Sequence, residues 1–397
     1  MDSIKSILNA DEIILPSSPA YAKETLVWSA HKHQRPQLVA RPASVESLSR
    51  LLIALNDTDL EFAIRCGGCG NSSSKDVVIT LSAFAGFKFI SASETVIIGA
   101  GQVWEEVDRK LEEAAPGYAI VSARCSYVGV GGGTLQGGLG WLSSEYGLAT
   151  SEEPDLLWAL RDGGGNFVVV SAFKVKVYKY SSSIYSGMIM YPREALSALA
   201  TEIPKFIERC KDPKLAMHFY CFDLYQGAFI GKLPQPGVAI FVEKGFKWAL
   251  NIAGAQDMTR AMTFREKWFN DLLGSDPSLS AGTFVLVEMM QKPAFHSIKS
   301  DTDTAWPHTK WQQVLQLGTG ALQDSSPETH ALAVKCLADA PDMILGVGNW
   351  SQADILLRDF ESFHEPEKMF GKNSAKMKRV KQKVDPKGRL KGAYSLI

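Results

Sequence analysis

Hydrophobic and polar positions along the first 180 residues alternate between the spacing of short strands and that of single helices. Val45–Leu55 carries apolar side chains at helical intervals behind Ser44, a residue type that often caps a helix N-terminus. Gln102–Glu113 repeats this helical spacing, whereas Glu61–Arg65 is short, apolar and strand-like. Further strands are predicted at 77–81, 95–101 and 167–178, and a short helix at 155–161. The mixture predicts an α+β domain and not a doubly wound parallel sheet.

The pattern changes after Tyr180–Tyr185, a polar stretch that is predicted to be a domain boundary. Strands are predicted at 215–222, 238–242 and 283–289, and helices at 192–210, 258–273 and 327–338. This order predicts an antiparallel sheet with helices on one face. From Glu365 the chain is rich in lysine and arginine, which we interpret as a solvated helix face ending at Asp385, with a nucleic-acid-binding or nuclear-import tail as the alternative.

Composition excludes several classes of partner. The formal net charge of −1 gives the chain no general attraction to nucleic acid or to an anionic membrane. No apolar run approaches the length of a membrane span, so we expect no membrane partner. The first residues lack the pattern of a secretory signal, and the six cysteines are unevenly spaced. We therefore expect a reducing, cytoplasmic location.

Glycine is most concentrated in Cys125–Gly140, which has seven glycines in sixteen residues, with valine and leucine between them. A flexible linker would lack these apolar anchors, whereas a buried loop that approaches a ligand needs both anchors and bare amides. Successive amides in such loops bind anions, typically phosphate. A tight structural turn is the alternative. Two further loops of small residues lie at 66–74 and 162–166.

Common nucleotide and metal motifs are absent from the sequence. Thr134 stands where the third glycine of a Rossmann motif belongs, and no P-loop sequence is present. Cys66 and Cys69 have metal-ligand spacing but no second pair, so no metal site is predicted. The chain also lacks a G-x-S-x-G elbow and an HExxH motif. Three separate glycine loops suit instead an extended ligand that the backbone contacts at several points.

These features resemble the FAD-linked oxidoreductases with a PCMH-type (vanillyl-alcohol-oxidase-like) flavin domain, in particular the berberine-bridge-enzyme-like group. The resemblance covers nearly the whole chain. Its motifs occur in the family's order: Pro42–Glu46, Ile64–Gly68, Gly99–Trp104, Cys125–Gly132, Gly137–Gly140, Tyr146–Leu148, Asp155–Arg161, Gly165–Phe167, Phe370–Asn373 and Lys383–Pro386.

The resemblance implies a two-lobed FAD-binding domain over residues 1–185 and a substrate-binding α+β domain over 186–345. A C-terminal segment, 346–397, would return to the FAD domain. FAD would be the cofactor, bound through backbone amides and apolar contacts. The implied FAD-binding residues are Arg65, Cys66, Gly67, Gly68, Cys69, Gly70, Asn71, Ser72, Cys125, Val128, Gly129, Gly131, Gly132, Thr134, Gly138, Asn166, Phe167 and Val169.

The sequence departs from the family at the positions of covalent attachment. Cys69 stands where the family has a histidine linked to the flavin, so a histidyl link is not available. Cys125 matches the family's cysteinyl attachment point, so FAD is expected to be held either non-covalently or by one thioether. In the non-covalent case Cys125 would be a free buried thiol beside the flavin. Val128 matches a position where a small valine goes with oxidases, which implies that O2 is the electron acceptor.

Two further departures concern the flavin domain and the catalytic base. The strand–turn–strand that follows Tyr146–Leu148 in the family is missing, so the domain is shortened after residue 148. This indicates either an altered binding site or a mis-spliced or degenerate gene. The family's tyrosine-rich catalytic segment is not recognisable near Asn349–Gln352, and the catalytic residues stay unassigned.

The expected function is an FAD-dependent oxidase that removes a hydride from a C–H bond of a small organic molecule, a secondary metabolite. The alternative is a non-redox scaffold on the same fold, a cyclisation catalyst or a ligand binder, in which flavin is structural or absent.

Overall fold

The computed structural model describes most of the chain. The described residues are 1–138, 140, 142–146, 155–161, 163–180, 189–222, 245–253, 268, 270–290, 304–306, 313–322, 324–351, 364–392 and 394–396. Within them, the strands form three four-stranded sheets.

The first sheet has the order β1-β2-β4-β3, in which β2, β4 and β3 are parallel and β1 is antiparallel. Ser44 caps the longest helix packed on this sheet, because its side chain accepts a hydrogen bond from the Ser47 amide as predicted. The elements are α1 (Asp2–Lys5), β1 (Ile13–Ile14), α2 (Tyr21–Thr25), β2 (Leu38–Ala40), α3 (Val45–Asn56), β3 (Phe62–Arg65) and β4 (Val77–Thr80).

The second sheet is antiparallel, in the order β5-β6-β8-β7, and is covered by α4. The elements are β5 (Phe87–Ile90), β6 (Thr95–Gly99), α4 (Trp104–Ala114), β7 (Tyr118–Ile120) and β8 (Ala172–Lys179). The lysines of β8 are exposed and its valines are buried, as their alternation predicts. The strand begins at Ala172 and not at Phe167, because Gly164–Asn166 forms a 3-10 turn and Phe167 enters the core.

The long glycine stretch is not a continuous loop. Val130–Leu135 within it forms a short helix, α5. The prediction of a loop was wrong here because low helix propensity is overridden by tertiary contacts. The Val130 amide donates to the Gln102 carbonyl, and the Gly131 amide donates to the Ala100 carbonyl, so β6 and α4 hold the start of the helix. Two short helices follow, α6 (Ser143–Tyr146) and α7 (Asp155–Leu160), while residues 147–154, where the family segment is missing, lie outside the described residues.

The third sheet is antiparallel, in the order β10-β12-β11-β9, which confirms the predicted sheet. Apolar side chains of its strands and of α9 share one buried cluster, among them Val285, Leu315 and Leu337. The elements are α8 (Leu196–Arg209), β9 (Ala216–Phe222), β10 (Gly245–Ala253), β11 (Phe284–Met290), β12 (Gln313–Leu322) and α9 (Pro327–Leu345). The strand predicted at 238–242 and most of the helix predicted at 258–273 lie outside the described residues.

The C-terminal part contains α10 (Pro366–Phe370) and α11 (Ser374–Val384). The interpretation of its basic run as a solvated face holds for Lys383 but not for Lys381, which is 1% exposed. Residues after α11 cross back to the first sheet, where Arg389 donates to the carbonyls of Leu55 and Leu60. Within the described residues, no helix combines the length and the apolar character needed to span a bilayer.

Candidate functional site

A cleft with about 1610 Å³ of atom-free space, including its open mouth, lies between two glycine-containing loops. The first loop, Cys66–Ser72, leaves the end of β3, and the second loop, Cys125–Gly133, includes the first turn of α5. Most of the residues expected to bind FAD line this cleft: Cys66, Gly67, Gly68, Cys69, Gly70, Asn71, Ser72, Cys125, Val128, Gly129, Gly131, Gly132 and Val169.

The two loops touch each other through glycine backbone. A Cβ added to Gly67 would lie 2.4 Å from the Gly129 nitrogen, and one added to Gly129 would lie 2.2 Å from the Gly67 nitrogen. A Cβ on Gly131 would lie 2.5 Å from the Cys66 sulfur. Any side chain at these positions would force the loops apart, so the glycines are needed for the loops to form one floor of the cleft.

The floor also presents hydrogen-bond donors. The amides of Gly67, Gly68 and Gly70 donate to no acceptor within the described part of the chain. A Cβ on Gly70 or Gly132 would meet no heavy atom within 4 Å, so the backbone at both positions borders open space. Bare amides beside open space suit the pyrophosphate of a dinucleotide. The residues present therefore fit FAD.

Three thiols lie at the cleft, and their surroundings differ. Burial raises the pKa of the Cys66 thiol to about 11, against the opposing effect of the Gly132 amide and Arg65, so this thiol stays protonated and inert at neutral pH. Cys69 Sγ lies 3.9 Å from the Tyr127 carbonyl oxygen. Cys125 lies in hydrogen-bond contact with the side chains of Tyr127 and Arg124. Burial raises the pKa of Tyr127, and the charges of Cys125 and Cys69 add to the rise.

The third sheet supplies the wall near Cys125. Arg124 forms an ion pair with Glu288 on β11 and donates to Gln316 Oε1 on β12 at 3.3 Å. Burial alone would lower the pKa of Arg124, but Glu288 and Cys125 outweigh burial and raise it. Gln316 lines the cleft. Glu288 is 1% exposed and does not line the cleft in the part of the chain that the structure describes. Glu288 therefore anchors the arginine, and Gln316 is the group that a ligand meets.

Five of the expected FAD-binding residues do not line the cleft. Arg65 is buried, donates to the carbonyls of Leu26 and Cys66, and lies 3.5 Å from Glu24, so it braces the first loop from behind. Phe167 is a core residue. Asn166 and Gly138 are buried, and the hydroxyl of Thr134 is buried without a hydrogen-bond partner in the described part of the chain.

Several lining residues are absent from the expected set. Some extend the glycine loops themselves, such as Arg124 and Tyr127, and could have been found from their place in the motif. Phe62 lies in β3, just before the first loop, and Leu390, Lys391 and Gly392 lie in the C-terminal segment that the resemblance returns to the FAD domain. Trp28 and Gln316 come from segments that no signal in the sequence connects to the cleft. No cluster of three metal-binding side chains occurs among the residues that the structure describes.

Residues 36–152 match the family FAD_binding_4, an FAD binding domain. This stretch of the chain is an FAD-binding domain. This domain contains both loops, so FAD is the cofactor of the cleft, and the resemblance noted in the sequence is confirmed.

Relatives detected by sequence cover only part of the chain. It is 28% identical to an uncharacterized FAD-linked oxidoreductase of Arthroderma benhamiae, over 54% of this chain and 48% of that protein. It is 26% identical to (R)-6-hydroxynicotine oxidase of Paenarthrobacter nicotinovorans, over 61% of this chain and 56% of the relative. The chain thus spans about half the length of these relatives.

Solved structures show the same fold along the chain. The wild-type BBE-like protein of Physcomitrella patens superposes with a TM-score of 0.78 at 14% identity, covering 99% of both chains. Chitooligosaccharide oxidase gives a TM-score of 0.76 at 17% identity, also covering 99% of both chains. The fold is therefore that of the berberine-bridge-enzyme-like flavoproteins.

The contact between the loops predicts the effect of a small substitution. Gly129→Ala places a methyl group against the Gly67 backbone, and overpacking of this kind costs about 1–3 kcal/mol. We expect the dissociation constant for FAD to rise about tenfold or more, measured by quenching of FAD fluorescence in a Cys125→Ser background, where no thioether can retain the flavin.

Gly86→Ala is the matched control, because a Cβ at Gly86 meets nothing within 4 Å and the residue lies outside the cleft lining. If Gly129→Ala left the dissociation constant of the background unchanged, that result would contradict the importance of the contact.

Proposed function

We propose that the protein is an FAD-dependent oxidase that takes a hydride from a C–H bond of a small organic substrate, a secondary metabolite. The proposal rests on which parts of the chain form the cleft. Its floor is the pair of cofactor loops, and its wall near Cys125 includes Gln316 from the third sheet. A substrate held by this sheet would therefore lie directly against the flavin.

Bound FAD would supply the hydride acceptor. The residues of this chain would position the FAD. The loop amides would bind its phosphates, and the Arg124–Glu288 ion pair joins the second loop to the third sheet. Gln316 offers an amide to a polar group of the substrate. Relatives named as oxidases, such as (R)-6-hydroxynicotine oxidase, support the reaction class.

We infer that Cys125 forms the single covalent link to the flavin. It lines the cleft beside Arg124 and Tyr127, whereas Cys66 is inert. Forming the link replaces one ring C–H bond and the Sγ–H bond by one C–S bond. The two electrons and two protons released pass to O2, which leaves as hydrogen peroxide.

O2 as the electron acceptor is supported by a comparison within the fold. The pollen allergen Phl p 4 has glucose dehydrogenase activity, and a variant with valine in place of an isoleucine is named a glucose oxidase. In this chain Val128 lines the cleft between Cys125 and Gly129. We propose that this small side chain leaves room for O2 beside the flavin.

A redox function predicts a yellow protein whose flavin absorbance is bleached by substrate under anaerobic conditions and returns on admission of air. Candidate substrates are screened as small amines and alcohols, with absorbance near the flavin maximum as the readout. A colourless protein, or turnover that persists with a flavin that cannot be reduced, would instead support the non-redox scaffold.

The covalent link predicts where the flavin is found after acid precipitation. In the wild-type protein and in Cys69→Ser the flavin should stay with the pellet, because Cys125 is intact in both. In Cys125→Ser it should appear in the supernatant, since no thioether holds it. Release from the wild-type protein would show that the flavin is bound non-covalently.

The role of Val128 predicts slower reoxidation when the side chain is enlarged. Val128→Ile adds one methylene group at the cleft wall, and we expect reoxidation by O2 to slow by about tenfold, a barrier increase of about 1.4 kcal/mol. Stopped-flow mixing of the photoreduced protein with air-saturated buffer measures this rate. Val128→Ala is the control, which should be as fast as wild type; equal rates in all three proteins would refute the gating role.

A further inference from the structure

The C-terminal tail, Asp385–Leu396, forms one wall of the FAD cleft. The cleft is lined at this end by Leu390, Lys391 and Gly392 of the tail, by Gly165 of the third glycine loop and by Val168 just after that loop. The tail and this loop are more than 200 residues apart in the chain, so their relative position depends on the contacts between them.

Lys381 makes the central contact. Its Nζ donates to the carbonyl of Asn166 in the third glycine loop at 2.6 Å and to the carbonyl of Leu390 in the tail at 2.6 Å. The third donor of the ammonium group meets Asp385 Oδ2 at 2.5 Å. The Lys381 side chain is 2% exposed, so the cation is fully enclosed by these three acceptors.

Asp385, at the start of the tail, binds both Lys381 and the backbone of the tail. Its Oδ1 accepts from the Arg389 amide at 2.9 Å, and its Oδ2 accepts from the Leu390 amide at 2.7 Å. Burial acts to raise the pKa of Asp385, but Lys381 and the two amides outweigh burial and lower it, so the carboxylate stays charged. Removing the lysine would leave this charge buried without its partner.

A second set of bonds joins the same two segments. Asn166 accepts from the Gly392 amide at 2.8 Å and donates to the Gly163 carbonyl at 3.2 Å. The Tyr394 hydroxyl donates to the same carbonyl at 2.7 Å. A Cβ on Gly392 would lie 2.9 Å from the Asn166 side chain, so the Gly392 backbone packs directly against that side chain.

We propose that Lys381 is a positioning residue for FAD. Its side chain fixes the distance between the tail and the third glycine loop, and this distance closes this end of the cleft. Lys381 does not line the cleft, and it acts through Leu390 on one side and through Asn166 and its neighbour Gly165 on the other. The inference rests on FAD binding and not on the proposed oxidase reaction. A test by FAD affinity therefore stays informative even if no substrate is oxidised.

The experiment compares the FAD affinity of Cys125→Ser protein with that of the same protein carrying a second substitution. Cys125→Ser is the background because no Cys125 thioether can then mask weakened binding. Flavin is removed, and the dissociation constant is measured by quenching of FAD fluorescence. Lys381→Met, which keeps the apolar stem and removes the cation, should raise the dissociation constant at least tenfold, which corresponds to about 1.4 kcal/mol. Hydrogen exchange should speed up in both 163–169 and 388–396.

Lys383→Met is the matched control, because Lys383 is an exposed lysine of the same helix, and its affinity should equal that of the background. A purely structural role would lower the melting temperature of Lys381→Met but leave the dissociation constant of the folded protein within twofold, and that result overturns the proposal. If Lys381→Met does not fold, Tyr394→Phe decides, since it removes one bond between the same segments: weaker FAD binding supports the proposal and unchanged binding overturns it.

Discussion

The contact between Gly67 and Gly129, where two backbones meet with no room for a Cβ, is the constraint on which the rest of the site depends. It brings a loop of the first sheet against a loop that packs on the second sheet, so two separately hydrogen-bonded layers share one surface. Cys66 lies behind this contact, where Gly131 leaves room for its sulfur. The amides of Gly67, Gly68 and Gly70 in the first loop have no acceptor in the described part of the chain and stay available to a ligand, whereas the amides of Val130 and Gly131 are bonded to carbonyls of the protein.

The third sheet is joined to this floor by charge. Successive residues of β11 point to opposite faces, so Val285 and Val287 pack in the apolar cluster with α9 while Glu288 is directed towards Arg124. A buried ion pair adds little net stability compared with apolar packing, but breaking it is costly, which makes it suited to fixing one position of the sheet. The sheet is therefore oriented with its apolar face in the core and Gln316 at the cleft.

Much of this could be predicted from the sequence, because glycine density and helical spacing are local signals. The two glycine loops and the antiparallel third sheet follow from such signals, whereas the lining residues that could be named follow from the family resemblance. The pairing of Arg124 with Glu288 could not be predicted, since the residues are 164 positions apart and neither stands in a periodic pattern that names its partner. The family's glycine motif predicts Phe167 as a cofactor contact, yet its ring is buried in the core. The sequence does not distinguish Lys381 from the other lysines of the basic run, although Asp385 four residues later has the spacing of a helical ion pair.

The distribution of the cleft wall along the chain has a consequence for biosynthesis. Its residues begin at Trp28 and end at Gly392, so the last piece of the wall leaves the ribosome more than 360 residues after the first. Domains generally begin to fold during synthesis from the N-terminal side. The first two sheets can therefore form while the cleft is still open at the end that the tail covers. Flavin can enter this open cleft before the tail is made, and the arrival of the tail encloses it.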